Sequence, residues 1–209
     1  MRYFYIFLLI QIGYCAFAQE VDTTAQIPMG ISEPTKYDIC FGSNTAPVVM
    51  VEYASLSCPR CSEYHKHIFS QLKKEYIDSK NLYYIYRNFP TNNASILAAM
   101  LSHCYNEKSS KTIDVLFEAQ SAWAFKINYQ DALKNIMILG GMSEKRFDDC
   151  ILNQTLRDDI IKQSFEAAKS YDIKGTPALF VNGHTVKDPM SFDEIKALIM
   201  QELESKINS

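Results

Sequence analysis

The chain has 209 residues, of which 47% are hydrophobic and 22% are charged, and its formal net charge is -3. This length and composition are those of an ordinary globular chain with one substantial core, with or without an insertion. The chain has no basic stripe of the kind that binds nucleic acid, so we expect no nucleic-acid partner.

The first 18 residues have the parts of a secretory signal peptide. Arg2 supplies a positive charge, residues 3–12 are apolar, and residues 16–18 form a small-residue cleavage site. The alternatives are a membrane anchor and a lipoprotein. The apolar stretch is shorter than the roughly 20 residues of a spanning helix, and the bulky tyrosine before Cys15 fits lipid attachment poorly. We therefore predict a cleaved signal peptide and export to an oxidising compartment.

A βαβ unit is predicted after the signal peptide. Residues 19–35 are polar, contain two prolines and are predicted to form a loose linker. The strand and helix candidates that follow are a short strand at 37–41, a strand at 48–54, a helix at 59–78 and a strand at 82–86. The run 48–54 is apolar except for Glu52, which is typical of a central strand buried on both faces. Strand, helix and strand at this spacing indicate parallel pairing.

The second half of the chain changes from helical to strand patterning. Residues 92–171 have helical periodicity with breaks, which predicts three or four helices inserted as a subdomain. A β-hairpin follows at 177–186, with Asn182-Gly183 as its turn. Ser191 and Glu194 then form the pattern of a capping box before an amphipathic helix. The expected fold is α/β: residues 36–91 and 172–209 form one unit around the helical subdomain.

The segment Cys58-Pro59-Arg60-Cys61 lies where a buried strand gives way to a helix. A helix N-terminus directs free N–H groups and a partial positive charge at Cys58, which stabilises a reactive thiolate. Cys61 lies on the same helical face and can resolve a mixed disulfide on Cys58. Pro59 suits the first helical turn, and Arg60 adds a permanent cation. The alternatives to a redox pair are a stapling disulfide and a zinc half-site completed by His65 or a neighbouring histidine.

Two further features accompany this pair. Glu52 interrupts the buried strand six residues before Cys58, and we interpret it as a proton acceptor for Cys61 during resolution. The alternative is a carboxylate tilted to solvent at the strand end. Thr176-Pro177 precedes the hairpin, and a cis bond there would leave the Thr176 backbone free to pair with a bound peptide.

These residues together resemble the DsbA family of exported thiol-disulfide oxidoreductases, over the chain from about Tyr37 to its C-terminus. The resemblance implies a thioredoxin-like fold whose helical insertion caps the active face. It also implies roles for individual residues: Cys58 as the exposed nucleophile, Cys61 as the buried resolving thiol, Glu52 as the buried acid and Pro177 as a cis-proline beside the disulfide.

The sequence departs from that family at two positions that tune redox poise and partner choice. Arg60 stands where the family usually has His, and Thr176 stands where its best-known members often have Val. Threonine there resembles isomerase and reductase relatives. Because Arg60 should stabilise the thiolate as a charged His would, we predict an oxidising protein.

The other cysteines outside the signal peptide are Cys40, Cys104 and Cys150. Cys104 and Cys150 lie on predicted helices of the insertion, and we predict a structural disulfide between them. Cys40 is the alternative partner for either one. Within the first strand it is more simply interpreted as a small buried hydrophobic residue with a free thiol.

The expected function is that of a monomeric periplasmic enzyme that oxidises cysteine pairs in newly exported proteins. The protein's own sulfurs would perform the chemistry without a cofactor, and a membrane partner would reoxidise the Cys58-Cys61 pair. Thr176 favours a second hypothesis, a disulfide isomerase or reductase. A third is an exported binding module without catalysis, which would use the groove beside Pro177 for peptides.

Overall fold

A computed structural model describes residues 29–105 and 109–208 of the chain. The predicted signal peptide and the first ten residues of the predicted linker lie outside these ranges. One mixed sheet has the strand order β1-β3-β2-β4-β5. Its strands are β1 (Asp38–Phe41), β2 (Val48–Ala54), β3 (Leu82–Asn88), β4 (Ala178–Val181) and β5 (His184–Thr185).

Strand β2 is the central strand, as the apolar run predicted. It pairs in parallel with β3, where Val48 lies opposite Leu82, and antiparallel with β4, where Met50 lies opposite Val181. All but one of its residues are buried. Because alternate side chains of a strand point to opposite faces, Glu52 shares its face with Met50 and Ala54, towards the larger core cluster. Val51 and Tyr53 belong to a smaller cluster on the other face.

The predicted helix after β2 is continuous but irregular. It begins as α1 (Pro59–Tyr64), continues as a π-helical segment (His65–Phe69) and a single α-helical turn, α2 (Ser70–Leu72), and ends in a second π-helical segment (Lys73–Ile77). Such π-helical segments are uncommon and frequently lie at functional sites. His65, Ile68 and Phe69 are buried in the first segment, which directs the histidine ring into the protein.

The helical subdomain between β3 and β4 contains more helices than the three or four predicted. Within residues 93–105 and 109–170 the structure has α3 (Asn93–Cys104), α4 (Ser109–Glu118), α5 (Gln120–Trp123), α6 (Tyr129–Leu139), α7 (Glu144–Ile151) and α8 (Gln154–Ser170). Caps explain part of the difference. The side chains of Ser143 and Asn153 accept hydrogen bonds from the first turns of α7 and α8. The Asn153 cap separates α7 from α8, which hydrophobic periodicity alone merges.

The end of the predicted linker is not loose. Residues Met29–Ser32 form a 3₁₀ turn, and Ile31 is fully buried. Arg87 from β3 donates to the carbonyl oxygens of Ile31 and Glu33 at 3.2 and 2.9 Å, and to the carboxylate of Asp38 at 2.6 Å. A buried guanidinium needs acceptors for all its N–H groups, and this segment supplies two of them.

The C-terminal part follows the prediction with one difference. β4 and β5 form a hairpin through Asn182 and Gly183, which both have positive φ angles, and the chain ends in α9 (Phe192–Ile207). The Ser191 side chain accepts from the backbone N–H of Glu194. The Glu194 carboxylate accepts from the backbone N–H groups of Lys187 and Asp188 instead of closing the capping box. Over the described ranges, no helix combines the length and apolar character needed to cross a membrane.

Candidate active site

Cys58 and Cys61 occupy the first turn of α1. Cys58 is the extended residue that precedes the helix, with φ -80° and ψ 123°, and it is half-buried. Cys61 lies inside the helix and is fully buried. Both thiols are free in this structure. The helix therefore presents one sulfur towards solvent and holds the other beneath it.

The surroundings of Cys58 favour its thiolate. The pKa of Cys58 is lowered to about 5, first by a hydrogen bond from the Cys61 thiol. Partial burial opposes this shift, whereas the Thr176 side chain and the backbone N–H groups of Cys61 and Arg60 add to it. Since hydrogen bonds to the charged form stabilise that form, Cys58 is ionised at neutral pH.

Cys61 has the opposite preference. Burial raises the pKa of Cys61 far above the value of a free thiol, and the hydrogen bond to Cys58 and the charge of Glu52 raise it further. Removing water from around a thiolate costs free energy, which is why burial raises this pKa. At neutral pH, Cys61 remains a neutral thiol that donates to the Cys58 sulfur, and it needs a base before it can react.

Arg60 and Pro59 form the start of α1 beside Cys58. Both side chains are exposed. Arg60 lowers the pKa of Cys58 through its backbone N–H. Stabilisation of the thiolate by its guanidinium stays a prediction. Pro59 is the first helical residue, where a missing N–H leaves no helical bond unmade.

Thr176 and Pro177 lie against the redox pair. The Thr176-Pro177 peptide bond is cis, and the Cys58 thiol donates to the Thr176 carbonyl oxygen at 3.3 Å. A groove of about 540 Å³ runs beside them, and its walls include Arg60, Thr176, Pro177, Tyr171 and residues 185–189. The loop before β4 thus brings backbone polar groups and a groove to the exposed sulfur.

Glu52 is fully buried beneath the pair, so the alternative of a carboxylate tilted to solvent is wrong. Its Oε2 accepts from the Tyr84 hydroxyl at 2.6 Å and lies 2.8 Å from Nε2 of His65. Burial raises the pKa of Tyr84 well above its usual value, so this hydroxyl keeps its proton and donates. Oε1 of Glu52 is buried without a hydrogen-bond partner among the described residues.

His65 is a site residue whose role the sequence did not indicate. The sequence suggests it only as a zinc ligand beside the cysteines, whereas its ring turns to Glu52 and stacks on Phe117 at a centroid distance of 4.2 Å. A buried carboxylate needs a hydrogen-bond partner, so the sequence indicated that Glu52 has one. It could not indicate which residue this partner is. No group of three or more His, Cys, Asp or Glu residues in the described ranges is arranged to hold a metal ion.

Gln120 is a second residue that the sequence did not indicate. Its side chain is buried, and Nε2 donates to the carbonyl oxygens of Leu56 and Cys58 at 2.8 and 3.0 Å. The first residue of α5 thereby binds the backbone on which the nucleophile sits. No motif marks a glutamine for this contact, because it depends on how the subdomain packs on the active-site loop.

Three further cysteines in the described ranges form one disulfide and one free thiol. Cys104, at the end of α3, and Cys150, in α7, form a disulfide with an S–S distance of 2.05 Å. Cys40 has a free thiol but is exposed, so the prediction that it is buried is wrong. Strand alternation is the reason: Ile39 and Phe41 point to the core, and Cys40 points away from it.

Comparison with known proteins agrees with this geometry. The thioredoxin family matches residues 34–201. A candidate protein-disulfide oxidoreductase of Rickettsia typhi is 32% identical over 174 residues, which cover 82% of this chain and 64% of that protein. Disulfide bond formation protein D of Bacillus subtilis is 27% identical over 178 residues, which cover 79% of this chain and 77% of that protein.

A crystal structure has the same architecture. That of α-DsbA1 from Wolbachia pipientis superposes with a TM-score of 0.80 and 27% identity, and the match covers 86% of this chain and 97% of that one. This chain spans less than two thirds of the length of the Rickettsia relatives it matches. The family match over most of the chain, the sheet with its helical insertion and the shared structure show that the chain belongs to the thioredoxin family, among its DsbA-like members.

Proposed function

We propose that the chain is an exported oxidase that introduces disulfide bonds into other exported proteins through the Cys58-Cys61 pair. The observation that carries this proposal is the contrast between the two thiols. The pKa of Cys58 is lowered to about 5, and that of Cys61 is strongly raised. A stabilised Cys58 thiolate favours the dithiol form of the pair, so the disulfide form is readily given away. The same logic explains why DsbA is a strong oxidant.

The oxidation of a substrate then follows in two exchanges. A substrate thiolate attacks Cys58 Sγ, the Cys58-Cys61 bond breaks, and Cys61 leaves as a thiolate. Because burial disfavours that charge, Cys61 takes up a proton, and Glu52 is the buried acid on the same side of the sheet. A second substrate thiolate attacks the substrate sulfur of the mixed disulfide and releases Cys58 as a stable thiolate. The substrate is oxidised, and the pair is reduced by two electrons.

The groove beside Pro177 is the proposed place for the substrate. The exposed sulfur, the Thr176 backbone and the groove walls lie together, and an extended peptide could pair with backbone groups there. We propose reduced exported proteins as substrates, a membrane protein as the reoxidising partner, the periplasm as the compartment and a monomer as the working form. The name of the Bacillus subtilis relative, disulfide bond formation protein D, supports the oxidative direction.

A second candidate, an isomerase or reductase, is favoured by one residue. The Thr176 side chain hydrogen-bonds the reactive sulfur, and threonine at this position resembles isomerase and reductase relatives. Reduction and isomerisation use the same two sulfurs but require a pair that holds its disulfide more firmly. The reduction potential therefore separates the two functions.

The deciding experiment is a redox equilibrium of the mature protein with glutathione buffers, followed by acid trapping and mass measurement of the Cys58-Cys61 pair. A potential well above the region of roughly -200 mV that glutaredoxins occupy supports the oxidase. A value near that of thioredoxin, about -270 mV, contradicts it and supports a reductase. A Cys58→Ala variant serves as the control, because it cannot form the pair.

A further inference from the structure

Glu52 and His65 form a buried side-chain contact in the core. Glu52 is fully buried, and His65 retains only 7% of its exposure. Their side chains meet at 2.8 Å, and the Tyr84 hydroxyl holds the same carboxylate oxygen at 2.6 Å. Two contacts in a buried setting fix the orientation of this carboxylate. Its oxygens therefore accept and donate a proton along fixed directions.

The histidine ring is held as firmly as the carboxylate. It stacks on Phe117 of α4 at 4.2 Å and lies against Phe69 at 4.6 Å. The edge of Tyr86 closes a further side at 5.8 Å. The ring therefore keeps Nε2 on Glu52, while Nδ1, on the other side, is buried without a hydrogen-bond partner among the residues described. An imidazole with one nitrogen on an acid and the other unengaged is the arrangement of a proton shuttle.

A cavity of about 450 Å³ lies beside the ring. His65 and Phe117 line it together with Ser62, Lys66, Asp114 and Glu118. Lys66, Asp114 and Glu118 are exposed, so the cavity communicates with solvent. The ionisable groups that face the ring or its cavity are Glu52 from β2, Tyr84 and Tyr86 from β3, Tyr64 from α1, Lys66 from the first π-helical segment, and Asp114 and Glu118 from α4.

We propose that His65 is a positioning residue that acts through Glu52 and carries protons between Glu52 and the solvent-connected cavity. This inference rests on the proposed function of the Cys58-Cys61 pair. In ring closure, the Cys61 thiol gives its proton to Glu52, and the Cys61 sulfur attacks Cys58 Sγ of a mixed disulfide. The partner thiolate leaves. Oε1 of Glu52 accepts this proton, the proton shared by Oε2 and Nε2 of His65 moves fully to Nε2, and Nδ1 releases its proton towards the cavity. When the pair is reduced, protons move in the reverse direction.

Two kinetic steps with glutathione disulfide separate this role from a structural one. In the first, the Cys58 thiolate attacks glutathione disulfide and one glutathione leaves, so the rate depends on the glutathione disulfide concentration. In the second, Cys61 closes the ring and the second glutathione leaves, independently of that concentration. The first step requires no proton from Cys61, and the second requires its removal.

The test compares His65→Gln with His67→Gln by rapid mixing of reduced protein with glutathione disulfide. His67 lies on the same π-helical segment but is exposed, so its variant is the matched control. We expect His65→Gln to slow ring closure by about tenfold or more, given that proton transfer by a side chain contributes roughly 10²–10⁴-fold. The first step should stay within about twofold of the wild-type rate, and His67→Gln should change neither step.

A second variant tests the relay by chemical rescue. His65→Ala opens space beside the cavity, and added imidazole should accelerate ring closure in this variant but not in the wild type. Ring closure at the wild-type rate in His65→Gln overturns the proposal, as does an equal slowing of both steps or a failure of imidazole to accelerate His65→Ala. The oxidase proposal is tested separately, because the redox equilibrium does not depend on the rate of ring closure.

Discussion

The thiol of Cys58 donates to the carbonyl oxygen of Thr176 at 3.3 Å, although 118 residues separate the two in the sequence. This bond exists only while the sulfur carries its proton, because a thiolate cannot donate. Once ionised, Cys58 is held by donors instead: the Cys61 thiol, the Thr176 side chain and two backbone N–H groups of α1. The loop before β4 therefore touches the nucleophile in both of its protonation states.

The largest of these contributions comes from Cys61, and its removal is the first prediction. In the reduced protein we expect Cys58 to titrate at about 5. In Cys61→Ala we expect the pKa of Cys58 to rise towards the value of free cysteine, about 8.5, because the thiol that donates to the thiolate is gone. The measurement is a pH titration of thiolate absorbance in the ultraviolet. An unchanged pKa in Cys61→Ala would show that the Thr176 side chain and the helix N-terminus set it without Cys61.

A second prediction separates the two positions at which this sequence departs from its family. Thr176→Val removes a side-chain hydrogen bond and should raise the pKa of Cys58, but by less than Cys61→Ala does, because its contribution is smaller. Arg60→Gln keeps the backbone N–H that acts on Cys58 and should shift the pKa by less than Thr176→Val does. The same absorbance titration measures both variants. A larger shift in Arg60→Gln than in Thr176→Val would show that the guanidinium stabilises the thiolate more than the Thr176 side chain does.

The contrast between the two thiols also predicts the pH dependence of the reduction potential. Above pH 5, reduction leaves Cys58 as a thiolate and adds one proton, to Cys61, for every two electrons. Since a tenfold change in a two-electron equilibrium corresponds to about 30 mV, the potential should fall by about 30 mV per pH unit from about pH 6 to about pH 8.

Below the Cys58 pKa, reduction adds two protons and the slope should double to about 60 mV per pH unit. The measurement is a redox titration against a reference of fixed potential at a series of pH values. In Cys61→Ala the pair is absent, so that variant gives the background. A slope of about 60 mV throughout would mean that Cys58 is a neutral thiol at neutral pH.

The sequence predicted those parts of the fold and the site that depend on local pattern. The apolar run through Glu52 marked the central strand, and the Cys58-Pro59-Arg60-Cys61 segment marked the helix start. Both signals, hydrophobic periodicity and residue spacing, lie within short segments of the sequence. The family resemblance implied that Glu52 is buried, and the structure confirms it.

What the sequence could not predict depends on contacts between distant segments. The contact between Glu52 and His65 requires the π-helical segment, and that irregularity has no compositional sign. Arg87 donates hydrogen bonds to the residues before β1 and holds them against the fold. The polar, proline-containing sequence of these residues predicts a loose linker instead. Strand alternation could have predicted the exposure of Cys40, but its apolar neighbours in the sequence suggested burial.

Gln120 provides the fourth prediction, on stability. Its amide donates to the carbonyl oxygens of Leu56 and Cys58 in a buried setting. Gln120→Leu fills similar space but leaves buried acceptors without this donor, which should lower the free energy of unfolding by about 1–3 kcal/mol. Urea denaturation with both cysteines of the active pair reduced measures the change. Gln130→Leu, at a position exposed on α6, is the control and should alter stability by less than about 0.5 kcal/mol. Equal stability of the two variants would contradict the assigned role.

The disulfide between Cys104 and Cys150 provides the last prediction. The two residues are 46 positions apart, and a cross-link of that span removes loop-closure entropy from the unfolded chain worth up to about 4 kcal/mol. The double variant Cys104→Ala/Cys150→Ala should lose much of this free energy of unfolding. Its thiolate at Cys58 should still titrate at about 5, because neither residue contributes to that shift.

The measurement is urea denaturation without reductant, in a background in which Cys58 and Cys61 are both replaced by alanine so that only one disulfide remains. Cys40→Ala is the matched control, since it removes an exposed free thiol and should change stability by less than about 0.5 kcal/mol. If the double variant unfolds at the same urea concentration as this control, the disulfide does not stabilise the fold. Its function would then have to be sought in the chemistry of its sulfurs, because the loop-entropy argument would no longer account for it.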